Sequence, residues 1–318
     1  MAQLCEARIP TYRRPALLHR ALESLRAQSY PQWRAVVFDD SPNREGEPVV
    51  RSFGDERIEY RPNKNRLGAA ANIDRMFAPT PYVHGDFAFI LEDDAALHPD
   101  YLSENLRLME GADANLLLRN QAIFEEGTEG WADTGETTRG GWLEGGRRSA
   151  FEIYALLFFM EGISNGGLFW RLWRDIDLRV GETVTDAGLQ ECCRTLLIRQ
   201  PVLFAPEPLA VFTRLPAEQI ERSVADNRTF ARGSQSLRTY LWKTYGESVI
   251  SAAKSIARRT GKQSILDQVL LEIGYKQADA KRQSAIQALK LTAKGTARRL
   301  LVADPVADFL ATLSRSAS

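Results

Sequence analysis

Three consecutive carboxylates, Glu92, Asp93 and Asp94, follow the apolar run at residues 87–91 and open the stretch EDDAALHPDY. Like charges repel each other, so the cluster calls for a positive partner, either a metal ion or a basic group. Alternate side chains of a strand share a face, which predicts that Glu92 and Asp94 point together. Carboxylate oxygens suit Mg²⁺ or Mn²⁺, which keep positions open for substrate phosphates. The alternative is that the acids cap the next helix and stay solvated.

A second acidic pair, Asp39 and Asp40, ends the apolar run WRAVVF. Apolar runs alternate with helical spacings over the first hundred residues, which predicts an α/β fold with a mostly parallel sheet and helices on both faces. Ligands of such sheets bind beyond the carboxyl ends of the strands, so both acidic groups are expected at one crevice. The predicted strands are residues 7–12, 33–40, 57–63 and 87–94, and the predicted helices are residues 14–29, 47–54, 68–78 and 99–110.

The middle of the chain has a different composition. Residues 125–150 are rich in Gly and Thr, which predicts a long and mobile loop. Its Trp131 and Trp142 either stack on a sugar, whose apolar face suits an exposed aromatic ring, or anchor the loop. The apolar run at residues 153–160 predicts a buried strand or helix, and residues 184–198 predict a further helix.

Composition places the chain among folded globular proteins. Its 318 residues are 44% hydrophobic and 26% charged, enough for one large domain or a domain with an appendix. No apolar stretch has the length of a signal peptide or a bilayer span. The three Cys residues suggest reduced thiols in a cytosolic protein. The three His residues lack metal-ligand spacing, which argues against zinc.

Charge is unevenly spread along a chain whose formal net charge is zero. Residues 219–318, which are mainly helical in pattern, carry an excess of about nine positive charges. This basic end could rest on an anionic membrane surface, as a peripheral contact of a cytoplasmic protein. The alternative is a helical subdomain that packs on the rest of the chain or forms an oligomer contact. No recognisable nucleic-acid-binding motif accompanies the charge, so nucleic acid is not expected as a partner.

Four segments in order resemble the family 2 glycosyltransferases with the GT-A fold. IPTYRRP resembles their P-T-Y-N-R turn, and AQSYPQWRAVVFDD resembles the helix exit and the acidic second strand. NKNRLGAAAN is similar to their N-x-G-x-x-x-A-x-N segment, and LEDDAALHPDYL to their D-x-D-D-x-x-x-P-x-[FY]-L signature. The match spans about residues 8–110, and SNGGLFWR resembles the acceptor-side half more weakly. The resemblance implies a GT-A domain over residues 1–217, divided near residue 110, and a basic helical region over residues 218–318.

The family pattern implies a role for individual residues. Asp94 and Glu92 would hold Mn²⁺ or Mg²⁺, and Asp39 would accept a hydrogen bond from the nucleotide base while Asp40 supports the loop. The general base would be Asp186, at the start of a helix, or else Glu191; the alternative for Asp186 is a plain helix cap. The implied nucleotide-sugar contacts are Pro10, Thr11, Arg13, Asp39, Arg66, Gly68, Asn72, Glu92, Asp93, Asn165 and Gly166.

Some positions depart from the family pattern. Glu92 stands where the first Asp of the D-x-D motif is usual, and Ala95 replaces an acid that often follows the motif. Ala71 replaces an Arg that usually precedes the Asn at position 72, and Arg66 is a candidate substitute. Metal affinity is therefore expected to be modest. Asn72 is alternatively a helix-surface residue, and SNGG is alternatively an ordinary tight turn. Further cations that could meet a diphosphate are Arg228, Arg232 and Arg238, unless they belong to a solvated helix face.

The expected activity is inverting, metal-dependent transfer of a sugar from a nucleotide donor to a hydroxyl acceptor. A UDP-sugar is the expected donor, with GDP- and dTDP-sugars as alternatives, and a glycan or lipid-linked sugar is the expected acceptor. A nucleotidyltransferase is a second candidate, but PTYRRP lacks the glycine of a phosphate-cradling loop. A non-catalytic scaffold that retains the fold is the third.

Overall fold

The computed structural model describes residues 2–127, 130–173, 176–214, 224–275 and 285–315. Within these ranges the strands form one sheet of mixed direction. They are β1 (Cys5–Thr11), β2 (Trp33–Asp39), β3 (Ile58–Pro62), β4 (Phe87–Ile90), β5 (Ala96–Leu97), β6 (Leu116–Gly127), β7 (Gly130–Thr137), β8 (Gly146–Arg148), β9 (Leu168–Arg171) and β10 (Val202–Arg214).

The helices in the same ranges flank the sheet and form the end of the chain. They are α1 (Pro15–Arg26), α2 (Gly46–Phe53), α3 (Ala69–Asp74), α4 (Tyr101–Gly111), α5 (Ala150–Ala155), α6 (Ala187–Leu197), α7 (Val224–Tyr245), α8 (Glu247–Thr260), α9 (Gln263–Glu272), α10 (Ala285–Leu301) and α11 (Ala307–Arg315). Short 3₁₀ turns follow α3 and α5 and precede β9.

The strand order is β3-β2-β1-β4-β9-β6-β10-β5, with β7 and β8 paired to β6 and β10. Strands β1 to β4 are mutually parallel, whereas β9 runs antiparallel between β4 and β6. The prediction of an α/β fold with a mostly parallel sheet, helices on both faces and a helical C-terminal region is confirmed. Strands β1 and β4 are buried along their whole length, as expected for parallel strands covered on both faces.

Residues 125–150 are not the long loop that their Gly and Thr content predicted. Strand β7 pairs antiparallel with β6, and the hairpin is followed by a turn and by β8. Trp131 fixes the hairpin: its ring lies 4.5 Å from that of Phe124, and its indole N–H donates to Thr213 Oγ1 at 3.1 Å. Side-chain packing across the strand pair overrides the local composition.

The run at residues 153–160 forms a helical segment, one of its two predicted forms. Ser149 caps α5 in a reciprocal pair with Glu152, and the chain tightens into a buried 3₁₀ turn at Leu156–Phe159.

The cysteines Cys5, Cys192 and Cys193 are buried and form no disulfide.

Buried apolar side chains cluster on the two faces of the sheet. Helices α1 and α4 cover one face, and α5, α6 and the helices after residue 224 cover the other. Helix α8 contributes Val249, Ile250, Ala253, Ile256 and Ala257 to this second cluster. The C-terminal helices therefore pack on the sheet domain. The boundary predicted at residue 217 lies outside the described residues. Among the described residues, no helix is long and apolar enough to cross a bilayer.

Candidate active site

The carboxyl ends of β1, β2 and β4 open into a cleft of about 340 Å³, here called the first cleft. Asp40 and the acids at positions 92–94 share its wall, as the strand order requires. The two acidic groups thus meet at one crevice, although only Asp40 of the Asp39–Asp40 pair lines it. The lining residues are Pro10, Thr11, Tyr12, Arg14, Asp40, Arg66, Gly68, Ala69, Asn72, Ile73, Glu92, Asp93 and Asp94.

A basic side chain meets the acidic cluster. Arg14 Nη1 lies 3.0 Å from Asp94 Oδ2 and 3.4 Å from Asp93 Oδ1. Asp93 also accepts a hydrogen bond from Thr11 Oγ1 at 2.8 Å, so it faces β1 rather than the centre of the cleft. Among the described residues, no group donates a hydrogen bond to the Glu92 carboxylate.

Burial and mutual repulsion make the three acids costly to ionise. Burial, together with Asp94 and Glu191, raises the pKa of Glu92 to about 8. Burial and Asp94 raise the pKa of Asp93 to about 6, against the opposing effect of Arg14. Burial also raises the pKa of Asp94, again opposed by Arg14. A site of this kind favours the arrival of further positive charge.

The first cleft offers few side-chain ligands to a divalent cation. Within the described parts of the chain, no three His, Cys, Asp or Glu side chains are placed to hold a metal ion together. Of the four carboxylates that line the cleft, Asp40 and Asp93 already accept hydrogen bonds from other parts of the chain, which leaves Glu92 and Asp94 as the candidate ligands. Two carboxylates suit Mg²⁺ or Mn²⁺ when phosphate oxygens and water complete the shell.

The two acids at the end of β2 have different surroundings. Asp39 is buried, and its carboxylate accepts hydrogen bonds from Ser41 N, Gly46 N and the Tyr60 hydroxyl at 2.8–2.9 Å. It does not line the first cleft. Asp40 does line the cleft, while it accepts bonds from Asn63, Leu67 N and Gly68 N. The geometry thus gives Asp39 the loop-supporting contacts and puts Asp40 next to the cleft, the reverse of the expected assignment.

The arginine of the first turn also differs from expectation. Arg13, the predicted contact, has a left-handed backbone with φ of 54° and does not line the cleft. Arg14 does, and the sequence reasoning missed it. The P-T-Y-N-R pattern contained the signal, because its Arg stands four residues after the Pro, which is position 14. Arg66 lines the cleft and lies over the Tyr12 ring, with 4.8 Å between guanidinium carbon and ring centroid.

Helix α3 begins at the edge of the cleft. Gly68, with φ of 81°, precedes its first turn and donates its N–H to Asp40. Asn72 is not a surface residue. It is buried, donates to Phe38 O at 3.3 Å and accepts from Asn63 at 3.1 Å, while it lines the cleft.

The turn at residues 164–167 brings backbone against the acids. A Cβ added at Gly166 would lie 3.1 Å from Gln121 Nε2 and 3.9 Å from Glu92 Oε2, so the turn fits closely there. The neighbouring Asn165 is held from behind, because Arg194 Nη1 donates to its Oδ1 at 2.7 Å. The turn is therefore held in place by contacts on both sides.

A second cleft, of about 780 Å³, lies beyond this turn. Glu191 lines it and accepts backbone N–H bonds from Ser164 at 3.2 Å and Asn165 at 3.4 Å. The two clefts adjoin at this turn, because Ser164 lines the second cleft while Gly166 lies against Glu92 of the first. The lining residues are Ile123, Glu136, Thr137, Thr138, Arg139, Gly141, Trp142, Met160, Glu161, Gly162, Ser164, Glu191, Phe212, Arg214, Arg259, Thr260 and Lys262.

Asp186 occupies the cap position of α6. Its Oδ1 accepts from Leu189 N at 2.8 Å, which is the helix-cap alternative, and it lines neither cleft. Of the two predicted bases, Glu191 is therefore the one at a cleft. Arg139, which is buried, lies 3.9 Å from Glu191 and 3.0 Å from Glu161, and it steadies the wall of the second cleft.

Of the two tryptophans predicted to stack on a sugar and the three C-terminal arginines predicted to bind a diphosphate, only Trp142 lines either cleft. Trp142 lines the second cleft beneath Lys262, whose Nζ is 4.7 Å from the ring centroid, whereas Trp131 anchors the β6–β7 hairpin. Arg238 is buried and donates to Leu157 O, and Arg232 pairs with Asp304 at 3.1 Å. Neither they nor the exposed Arg228 line the first cleft, so the structure contradicts their role as diphosphate cations.

Comparison with known proteins agrees with this geometry. A curated relative, Protein CgeD of Bacillus subtilis (strain 168), is 30% identical over 100 residues, which cover 30% of this chain and 24% of CgeD. S. aureus TarS has a TM-score of 0.58 at 15% identity, covering 93% of this chain and 54% of that one. The complex of TarS 1–349 with UDP-GlcNAc has a TM-score of 0.55 at 13% identity, covering 93% of this chain and 81% of that one.

The chain thus spans about a quarter of CgeD and about half of the longer TarS chain. The likeness to TarS extends over nearly the whole chain and concerns the fold, which is that of the GT-A transferases. The model of the family described as Glycosyl transferase family 2 matches residues 7–164, which include β1 to β4, the first cleft and the first residue of the turn before β9. The resemblance drawn from the four sequence segments is confirmed, and residues 7–164, about half of the chain, belong to glycosyl transferase family 2.

Proposed function

We propose that the chain transfers a glycosyl group, with inversion, from a UDP-sugar to a hydroxyl group of a glycan or lipid-linked acceptor. The observation that carries the proposal is the junction of the two clefts. An acidic, nucleotide-sized cleft meets a larger cleft at the turn of residues 164–167, and Glu191 stands on the far side. A donor and an acceptor bound in these clefts would meet beside that turn.

The donor is assigned to the first cleft. Asp40 would accept a hydrogen bond from the base, and Arg14 and Arg66 would contact the diphosphate. Glu92 and Asp94 would hold Mn²⁺ or Mg²⁺, which supplies positive charge to the leaving diphosphate when bound. UDP is favoured over GDP and dTDP because the TarS structures of the same fold include complexes with UDP and UDP-GlcNAc.

The acceptor is assigned to the second cleft. Its hydroxyl oxygen would attack the anomeric carbon as the bond from that carbon to the diphosphate oxygen breaks, and the proton would pass to Glu191. The backbone N–H groups of Ser164 and Asn165 fix the Glu191 carboxylate without adding a second charge. Trp142 and the polar side chains around it suit a sugar, which presents both apolar faces and hydroxyls.

The first experiment is calorimetric titration of UDP, GDP and dTDP with and without Mn²⁺. We expect UDP to bind, and to lose most of its affinity both in EDTA and in Asp94→Asn. Asp113→Asn is the matched control, because Asp113 is exposed and lines neither cleft. Binding of none of the nucleotides to folded protein would leave the scaffold reading as the better one.

The second experiment separates the two candidate bases. UDP release from UDP-GlcNAc is followed with a panel of sugar acceptors for Glu191→Gln and Asp186→Asn. We expect Glu191→Gln to lower transfer by about 10²-fold with UDP affinity unchanged. Asn caps helices as well as Asp does, so Asp186→Asn should keep transfer near the wild-type rate. The reverse ranking would restore Asp186 as the base.

A further inference from the structure

Helix α10 (Ala285–Leu301) exposes large apolar side chains to an unusual degree. Leu289, Leu300 and Leu301 are 72%, 79% and 82% exposed, the highest values among the large apolar side chains of the described residues. Isolated exposed leucines need no explanation, but three on one helix do. The donor and acceptor clefts use none of these residues.

Leu289 and Leu300 share one face of the helix, and Leu301 lies about 100° round the axis from Leu300. The helix contacts the body of the protein at Gly295. Its carbonyl oxygen accepts a hydrogen bond from Gln235 Nε2 at 3.0 Å, and its Cα packs so closely on the carbonyl of Glu272 that a Cβ would clash there. At 100° per residue, Leu289, Ala293 and Leu300 lie within one narrow stripe on the side opposite Gly295. Ala293 is exposed as well. The stripe therefore points directly away from the protein.

Positive charge flanks the stripe on both sides. The helix carries four basic residues and no acidic one. Lys294 and Arg298 lie near Glu272, at 3.9 Å and 3.3 Å, toward the body. Lys290 lies on one flank of the stripe and Arg299 on the other, and neither has an ion pair with any residue that the structure describes.

We propose that α10 is an interfacial helix that docks the protein on an anionic lipid surface. An apolar stripe bordered by Lys and Arg matches the acyl boundary and the headgroups of such a surface at once. The phosphates of a nucleic acid would pair with the Lys and Arg side chains but would not bury the leucines. A two-fold contact with a second copy through the stripe would bring like charges together. The proposal does not depend on the donor or the acceptor of the transfer reaction.

The test uses the full chain and sedimentation with lipid vesicles. One set is phosphatidylcholine alone, and the other contains about one third phosphatidylglycerol. We expect binding to the anionic set to be at least about tenfold stronger and to weaken in high salt. Leu289→Ser/Leu300→Ser and Lys290→Glu/Arg299→Glu should each lower that binding by about tenfold or more, with unchanged melting temperature and UDP affinity.

Matched controls place the same changes elsewhere. Ile265→Ser removes an exposed apolar side chain of α9, and Arg34→Glu/Arg51→Glu reverses two exposed cations near β2 and α2. Both should bind vesicles like the wild type. The proposal is overturned if the wild type ignores anionic vesicles, or if the controls lose binding as much as the α10 variants. It is also overturned if light scattering shows a dimer that the leucine variants abolish, because a second copy would then cover the stripe.

Discussion

Arg14 Nη1 lies 3.0 Å from the carboxylate of Asp94, at the point where β4 ends. A cation of the chain itself thus offsets part of the repulsion among the three neighbouring acids. Arg14 is about two fifths exposed in the first cleft, so it is free to turn toward an incoming diphosphate. One guanidinium could therefore serve the acids before binding and the phosphates afterwards.

Arg14→Ala should weaken binding of UDP much more than binding of uridine. A charge-assisted hydrogen bond to phosphate contributes about 1.5–3 kcal/mol, which corresponds to a loss of roughly 10- to 100-fold in UDP affinity. Calorimetry with the two ligands measures the difference. Arg13→Ala is the control, because Arg13 is the adjacent cation and does not line the cleft. Equal losses for uridine and UDP would show that Arg14 supports the loop instead.

Asp39→Asn should destabilise the fold while leaving the site's chemistry in place. The Asp39 carboxylate accepts from two backbone N–H groups and from Tyr60, and an amide nitrogen would confront at least one of these donors. We expect a loss of about 1–3 kcal/mol in the free energy of unfolding, measured by urea denaturation. The affinity of the folded protein for UDP should change little. If Asp39→Asn instead lowers the affinity for UDP while the free energy of unfolding stays at the wild-type value, Asp39 binds the base.

The sequence was most informative where local pattern and packing agree. Parallel strands buried on both faces give near-continuous apolar runs, so β2 and β4 and the acids that follow them could be located from the sequence alone. Strand β1 departs from this pattern, because Glu6 and Arg8 are buried in it as an ion pair. The strand β7 could not be located in this way, because its Gly and Thr content resembles that of a loop and only pairing with β6 makes it a strand.

Side-chain direction was the other limit. A motif names neighbouring acids without saying which one faces the cleft, so it did not distinguish Asp40, which lines the cleft, from Asp39, which does not. The same holds for Glu191, which approaches the clefts only because the turn at residues 164–167 folds back onto α6. Such contacts join residues distant along the chain, so no local spacing reports them.

Stability without metal should fall as pH rises from about 5 to 8. The pKa of Glu92 is raised from 4.5 to about 8, so the folded state binds a proton that the unfolded state has lost in this range. Glu92→Gln removes this titration and should give a flatter pH profile and a higher melting temperature at pH 8, both measured in EDTA. Identical profiles for wild type and Glu92→Gln would contradict the raised pKa.

The buried pair of Arg194 and Asp74 should act on turnover through the turn that carries Asn165. Arg194 Nη2 lies 2.7 Å from Asp74 on α3, and Nη1 donates to Asn165 Oδ1 at 2.7 Å, so one guanidinium ties the donor side to the turn beside Glu92. Lys can replace only one of these contacts. We expect Arg194→Lys to lower kcat by about tenfold or more, while the affinity for UDP changes by no more than about twofold.

A purely structural role would give a different result. Arg194 also donates to Leu178 O, and each buried acceptor that Lys leaves without a donor costs about 1–3 kcal/mol, so Arg194→Lys will also lower the melting temperature. Asn165→Ala provides the comparison, because it leaves the ion pair with Asp74 intact and removes only the contact to the turn. It should reproduce most of the fall in kcat with a smaller fall in melting temperature. If Asn165→Ala keeps the wild-type kcat, Arg194 stabilises the fold and does not position the turn for transfer.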